Sequence, residues 1–432
     1  MNNISTLYPK LIKYCAIHYF DKEILISLGD DRRNNVDPMV VEVLKLCDGR
    51  HMVCEIVNML CKKYEVQDDN RHQVSEIIHQ FVEAMKKNET LELVETSSQS
   101  TIPIKWSGQK GKTFPYLAIM ELTDSCNFFC SHCYKDAKVS QNHHMPIEIF
   151  KCVLDKLRGH TPIINLTGGE PSIHPCINEM LDYCDGFDTV MLTNGSNINK
   201  IESYRLKKIA SFQVSMYGGS ADTYNTTTGN GTHFDKFLCG LDIIKASDIH
   251  VRVAIVLNKP VIGELDECIK ILVDKKINEV TFGTSIIEGR RVGEVSDSVW
   301  EVSKDDIEKA DEVIEHLKSR YRNLIRFVNP YKLSAKVKWR KDPKNYELTC
   351  MGGRYTVTFS NKGVVKACNY VPDGPFDMGN YEDYLRNIEN GKVASFSQNM
   401  MMFEHALKAS GRSFDDFQCK GMCGEMIIED KS

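Results

Sequence analysis

Three cysteines, Cys126, Cys130 and Cys133, are spaced Cys-x3-Cys-x2-Cys. Thiols this close in the chain belong to one loop around one object, and soft sulfur ligands select an iron–sulfur cluster or zinc. Three thiolates on a four-iron cluster leave one iron open for chemistry, whereas a structural site is closed by four ligands. His132 could complete a closed Cys3His zinc site, so the spacing alone leaves both readings open. Further on, Ile163 to Pro171 reads as an apolar strand ending in Gly168-Gly169-Glu170-Pro171, where paired glycines let backbone approach closely.

The cysteine triplet followed at this distance by Gly-Gly-Glu-Pro resembles the radical SAM superfamily. There the open iron is chelated by the amino and carboxylate groups of S-adenosylmethionine (SAM), and a reduced [4Fe-4S] cluster cleaves SAM to a 5′-deoxyadenosyl radical. The resemblance implies metal ligation by Cys126, Cys130 and Cys133, with His132 inside the cluster loop. It implies that Gly168, Gly169 and Glu170 face the methionine ammonium. Asn194 in Thr193-Asn194-Gly195 and Ser215 in Gln213-Val-Ser215-Met-Tyr217 match positions that lie near SAM in similar enzymes. Many relatives place an arginine before a glycine after the fourth strand, to pair the SAM carboxylate. This chain has Thr228-Gly229-Asn230-Gly231 there, and Arg252 is the substitute expected, or else a structural salt bridge.

A second set of thiols lies near the C-terminus. Cys350 and Cys368 bracket an alternating hairpin, Arg354 to Phe359 and Val364 to Ala367, around a Gly-containing turn. Pairing across that turn sets Cys368 opposite about Tyr355, and Met351-Gly352-Gly353 can fold Cys350 to the same end. Cys419-x3-Cys423 supplies two more. The pattern resembles the SPASM/twitch extension of radical SAM peptide maturases. Four cysteines fit a twitch domain with one auxiliary cluster, [4Fe-4S] or [2Fe-2S], and a four-thiolate zinc site is the alternative.

Apolar strand-like runs alternate with helical patterns at Pro115 to Leu122, Ile163 to Leu166, Thr189 to Leu192, Phe212 to Met216, His250 to Leu257 and Glu279 to Thr284. Six such strands with helices between them predict a parallel sheet. The motif residues follow the ends of the first four strands. Ahead of this region, Lys10 to Phe20 and Glu23 to Leu28 read as strands, with a third short one before Asp37-Pro38. Helices are expected over Pro38 to Cys47, Val53 to Lys63 and Arg71 to Lys87, and Leu91 to Glu95 closes the unit. This order, with Leu46-Cys-Asp48-Gly49-Arg50 leading into the second helix, resembles the winged-helix-like RiPP recognition element. That family binds the leader of a ribosomally made precursor peptide as an added strand at the sheet edge beside the third helix. A cap without ligand and a DNA-binding winged helix are the alternatives, the last disfavoured by the lack of a basic recognition helix. Thr96 to Thr113 reads as a polar linker.

With 432 residues, 42% hydrophobic and 26% charged, the chain is globular and divides into two or three domains. A formal charge of −5 gives no footprint for nucleic acid or an anionic membrane. No apolar run approaches the roughly 18 residues that span a bilayer, and the N-terminus lacks signal-peptide features, so a cytoplasmic protein is expected. Sixteen cysteines in a reducing compartment argue for metal sites over disulfides; the nine outside the motifs are expected as small buried residues.

The expected fold is α/β: a partial (β/α)6 radical SAM barrel over 114–335, an N-terminal winged-helix-like α+β domain over 1–96, a linker over 97–113, and a C-terminal β-hairpin/helix twitch domain over 336–432. The combination resembles radical SAM maturases of ribosomal peptides, especially those forming Cys thioethers (sactipeptide or ranthipeptide type). The implied partners are a precursor peptide with its leader and an external one-electron reductant, flavodoxin or ferredoxin, with no nucleic acid and no membrane. The alternatives are another radical SAM modification (a C–C crosslink, epimerisation, a haem-like side chain) and an iron–sulfur electron carrier or sensor, which would not need Gly168 to Pro171.

Overall fold

The computed structural model describes residues 4–28, 31–33, 36–284, 302–328, 352–369 and 377–391. A break after Thr113 separates two compact units.

The first unit contains β1 (Tyr8–Leu11), β2 (Cys15–Asp21), β3 (Glu23–Leu28), β4 (Asp31–Arg33), helices α1 (Pro38–Leu46), α2 (Val53–Lys63) and α3 (Arg71–Lys87), then β5 (Leu91–Val94) and β6 (Ile104–Lys110). Asp37 caps α1, its carboxylate accepting from Met39 N at 2.7 Å, and Pro38 supplies the preset first turn. The strand read over Lys10 to Phe20 is two strands: β1 pairs with β5, while β2 pairs with β3 across the two-residue turn Asp21-Lys22. Ile17, Ile26, Leu44, Ile56 and Val82 share the core beneath.

The linker expected over 97–113 is corrected by the structure. Ile104–Lys110 forms β6, parallel to β2 from Cys15↔Ile104 to Asp21↔Lys110, giving the sheet order β4-β3-β2-β6. Residues before it are also fixed: Ser98 N donates to Gly49 O at 2.9 Å and Ser100 N to Asp48 O at 2.7 Å. The polarity that suggests a linker belongs to an edge strand with one open face, anchored by few groups. Ser107 is buried 3.0 Å from His18 Nδ1, and Trp106 stacks on Tyr19.

The second unit holds a ten-stranded sheet. Seven strands are parallel and sequential: β7 (Leu117–Glu121), β8 (Ile163–Thr167), β9 (Asp188–Thr193), β10 (Ser211–Met216), β11 (His250–Leu257), β12 (Glu279–Thr284) and β13 (Arg326–Phe327). The six expected strands are the first six. Helices such as Ile147–Leu157, His233–Ala246 and Leu265–Asp274 connect them, an α/β arrangement with a mostly parallel sheet. Alternation sorts the faces: Phe212, Val214 and Met216 are buried in the core with Phe237, Leu241 and Ile244, while Ser211, Gln213 and Ser215 are half-buried on the other face.

The C-terminal hairpin, expected within a twitch domain over 336–432, extends this sheet. β14 (Thr356–Phe359) pairs in parallel with β7, β15 (Val364–Lys366) is antiparallel to β14, and β16 (Asp377–Asn380) follows it. Thr356 and Val357 beside Leu117 and Ala118 give the free edge of β7 a partner, which a hairpin alone lacks.

Candidate functional site

The cysteine loop leaves the end of β7 and is laced to the turn after β8. Leu122 N donates to Thr167 O at 2.8 Å, Gly169 N to Thr123 O at 2.6 Å and Glu170 N to Ser125 O at 2.9 Å. A Cβ on Gly168 would lie 2.3 Å from Thr123 O, and one on Gly169 would lie 2.0 Å from Ser125 O. Both positions are therefore closed to any side chain. Within the chain, the paired glycines seat the loop that carries Cys126.

Glu170 is fully buried and its carboxylate has four protein donors. Oε1 accepts from Ser172 N (3.1 Å), Ser172 Oγ (2.5 Å) and Thr193 Oγ1 (2.7 Å), and Oε2 accepts from Asn194 N (2.8 Å). Burial pushes its carboxyl above the ordinary value while these donors pull it back. Glu170 thus ties the end of β8 to the end of β9 and aims Asn194. Asn194 Nδ2 donates to Asn127 Oδ1 at 3.0 Å and lies 3.9 Å from Cys126 Sγ. Glu170, Asn194 and Cys126 form one network.

Residues between the cysteines anchor the loop elsewhere. Phe128 stacks on His233 with centroids 3.7 Å apart, and Ser131 N donates to Thr227 O at 3.1 Å. The His132 ring packs 5.3 Å from Tyr217, just past β10, and Ser215 is half-buried near the end of that strand. Cys130 is buried, while Cys126 and Cys133 are half-buried.

Burial, with the Glu170 charge adding to it, pushes the Cys126 thiol up to about 12. Such a thiol keeps its proton until a metal displaces it, since coordination deprotonates a thiol outright. Among the described residues no three His, Cys, Asp or Glu side chains converge on a single-ion site. A four-iron cluster does not require that, because each cysteine takes a different iron. The donor set, three thiols on an anchored loop, fits such a cluster.

Arg252 does not join this site. It lies near the start of β11, in register with Glu279, and its Nε is 3.0 Å from the Glu279 carboxylate. The C-terminal end of β11 is Leu257, five residues on, roughly 16 Å at strand rise. The arginine is a structural ion pair, shared with Arg326 and His250 on the same carboxylate. Burial would raise that carboxyl, but His250, Arg326 and Arg252 hold it down to about 2. Its stabilising contribution is therefore present above the ordinary value near 4.3 and is lost as pH falls towards 2. Arg252→Met is expected to leave SAM affinity unchanged in a binding titration. It should lower stability by about 1–3 kcal/mol at neutral pH, a difference that shrinks on acidification in denaturant titrations.

Cys368 follows β15 and is half-buried. The pairs Thr358↔Lys366 and Phe359↔Val365 set it opposite about Thr356, one residue from the expected position. Gly353 N donates to Ala367 O at 2.9 Å, so the Gly352-Gly353 turn comes to the same end. Cys350, Cys419 and Cys423 lie outside the described residues. Of the nine other cysteines, Cys15, Cys47, Cys61, Cys184 and Cys268 are buried and Cys54 and Cys176 half-buried. Cys152 and Cys239 are exposed on helices, contrary to expectation.

Sequence reasoning missed one feature. Fully buried Lys366 reaches Glu121, at the end of β7, with Nζ 3.1 Å from Oε2, and Lys135 contacts the same carboxylate. Burial lowers the Lys135 ammonium, which Lys366 reinforces and Glu121 opposes. The signal was a lysine in an otherwise apolar hairpin strand, but its partner is 245 residues away.

Residues 120–289 match the Radical SAM superfamily model. Across 94% of this chain and 86% of the relative, the sequence is 24% identical to the antilisterial bacteriocin subtilosin biosynthesis protein AlbA of Bacillus subtilis. An AdoMet-dependent heme synthase of Methanosarcina barkeri is 24% identical over 60% of this chain and 78% of that one. Among solved structures, Streptococcus suis SuiB bound to its precursor peptide SuiA superimposes with a TM-score of 0.59 at 12% identity, over 91% of this chain and 90% of SuiB. The matched segment runs from the end of β7 past β12 and contains the thiol loop, the Gly-Gly-Glu turn and Asn194: the chain carries a radical SAM domain, the mark of an enzyme of that kind, and that domain implies SAM and a [4Fe-4S] cluster.

Proposed function

We propose that this enzyme installs a crosslink, a Cys thioether, in a ribosomally made precursor peptide. The observation that carries the reading is the docking of the Cys368 hairpin onto β7, which sets a second thiol segment beside the SAM-cluster loop; Asn369 Nδ2 donates to Tyr134 OH at 3.0 Å. When bound, the cluster and SAM supply a hydrogen-abstracting radical. The chain holds the Cys126 loop through Gly168, Gly169 and Ser131, and orients Asn194 through Glu170. Tyr217 packs beside His132.

The remaining parts follow the same reading. Cys350, Cys368, Cys419 and Cys423 hold one auxiliary iron–sulfur cluster in a twitch domain over 336–432, and flavodoxin or ferredoxin supplies the reducing electron in the cytoplasm. The N-terminal unit docks the leader. Its sheet leaves the outer edges of β4 and β6 without a strand partner among the described residues. It also has a cavity of about 1100 Å³ lined by Leu11, Tyr19, Leu44, Ile104 and Trp106. Apolar pockets beside an open edge suit an extended peptide, whose main chain supplies affinity and whose side chains supply specificity. The likeness to a bacteriocin biosynthesis protein over nearly the whole chain supports this. The relative named heme synthase favours a second reading, another radical modification of a peptide or cofactor. No helix among the described residues is long and apolar enough to cross a membrane.

Co-expression with a short Cys-rich peptide encoded beside the gene tests the proposal. The expected product has lost two hydrogens per crosslink and its cysteines resist alkylation; mass loss with all thiols still alkylated would replace the thioether by another bond. Removal of residues 1–113, the boundary that keeps β6 with its sheet, should abolish modification of the leader-bearing peptide while slow SAM cleavage persists. Equal turnover by the truncated enzyme would make the N-terminal unit a cap.

A further inference from the structure

Two segments that carry candidate cluster ligands are pinned to each other by buried polar contacts. Glu121 ends β7, five residues before Cys126, and Lys135 follows Cys133 by two. Lys366 ends β15, two residues before Cys368. The Lys366 side chain is 0% exposed and that of Glu121 4%. Its ammonium sits 3.1 and 3.4 Å from the two oxygens of Glu121, which Lys135 also contacts. Next to Cys133 and Cys368 in the chain, Asn369 Nδ2 donates to the Tyr134 hydroxyl.

Stability alone does not explain this arrangement. Buried ion pairs are costly to desolvate, and an apolar contact of the same volume is often as stable. What a buried charge enforces is register. A one-residue slip of β15 would turn Lys366 to the opposite face, stranding its ammonium and turning Cys368 away with it. A methionine at 366 would tolerate that slip.

We propose that Lys366, Glu121 and Lys135, with the Tyr134–Asn369 hydrogen bond, are positioning residues: a clasp that fixes Cys368 at one separation from the Cys126–Cys133 loop. The inference rests on the reading of Cys368 as a ligand of a second cluster, which would then lie at a set distance from the first. The clasp has two ammonium groups for one carboxylate, so removing Lys366 leaves the neutral pair Glu121–Lys135 and a chain that still folds.

The test compares the full-length holoenzyme with Lys366→Met and Asn369→Leu variants. Hydrogen exchange of residues 356–369 should rise about tenfold in Lys366→Met, with the strands β8 to β11 unchanged. In the fully reduced protein the magnetic interaction between the two clusters, seen in electron paramagnetic resonance, should weaken or become heterogeneous, with SAM cleavage in the absence of peptide retained. Exchange and magnetic interaction both at wild-type levels would overturn the clasp, as would exchange rising equally throughout the sheet. If iron analysis of the wild type finds a single cluster, the second-cluster reading fails, and hydrogen exchange alone decides whether the clasp holds the hairpin.

Discussion

Replacing Cys126, Cys130 and Cys133 together by alanine abolishes SAM cleavage and leaves a folded protein that still binds one cluster. Loss of activity follows from ligand count, since without three thiolates no cluster is held with an open iron. Survival of the fold follows from how the loop is built. Among its ties to the rest of the unit are Gly169 to Thr123, Glu170 to Ser125 and Ser131 to Thr227, all backbone hydrogen bonds, together with Phe128 on His233. None of them uses a thiol. Anaerobic reconstitution, iron analysis and chromatography of 5′-deoxyadenosine check the outcome. Formation of 5′-deoxyadenosine at the wild-type rate by the triple variant would remove the loop from the chemistry.

The parallel strands were legible in the sequence because each buries at least one full face, and Leu117 to Met120 or Val253 to Leu257 reads as an apolar run of strand length. The cysteine loop and the Gly168–Gly169 turn were legible because their residue types have few other uses so close together. What escaped depends on partners distant in the chain. Ile104–Lys110 is polar because it is an edge, and only its register with Cys15–Asp21 makes it a strand. Arg252 could be offered to SAM until Glu279 was seen in register beside it. The alternation of Val364 to Ala367 marked a hairpin, yet burial of Lys366 needs Glu121 and Lys135, which no local pattern supplies. Glu170 is the intermediate case: its motif gave its importance, and the structure gave its partners, Ser172, Thr193 and Asn194.

Cys368→Ala is expected to leave SAM cleavage measurable while stopping formation of the crosslinked peptide. The SAM-cluster loop takes no ligand from the hairpin, so its thiols and the Glu170–Asn194 network remain in place. The hairpin also persists, because β14 on β7, the pair Thr358↔Lys366 and the Lys366–Glu121 ion pair do not involve the thiol. The loss appears after hydrogen abstraction. Joining a peptide thiol to a carbon radical forms one C–S bond, releases the thiol proton and leaves one electron more than the product needs. On the proposed reading, Cys350, Cys368, Cys419 and Cys423 would hold a cluster that could accept one electron when oxidised, and four thiolates would close it against direct binding of the peptide thiol. With Cys368 gone, that acceptor is lost or altered, and the substrate radical is quenched without forming the bond. The measurement is the ratio of 5′-deoxyadenosine to crosslinked peptide, which should rise steeply in the variant. A folded Cys368→Ala protein that lacks the second cluster's spectral signature yet makes wild-type amounts of crosslinked peptide would exclude the electron role and leave the hairpin thiols a structural one.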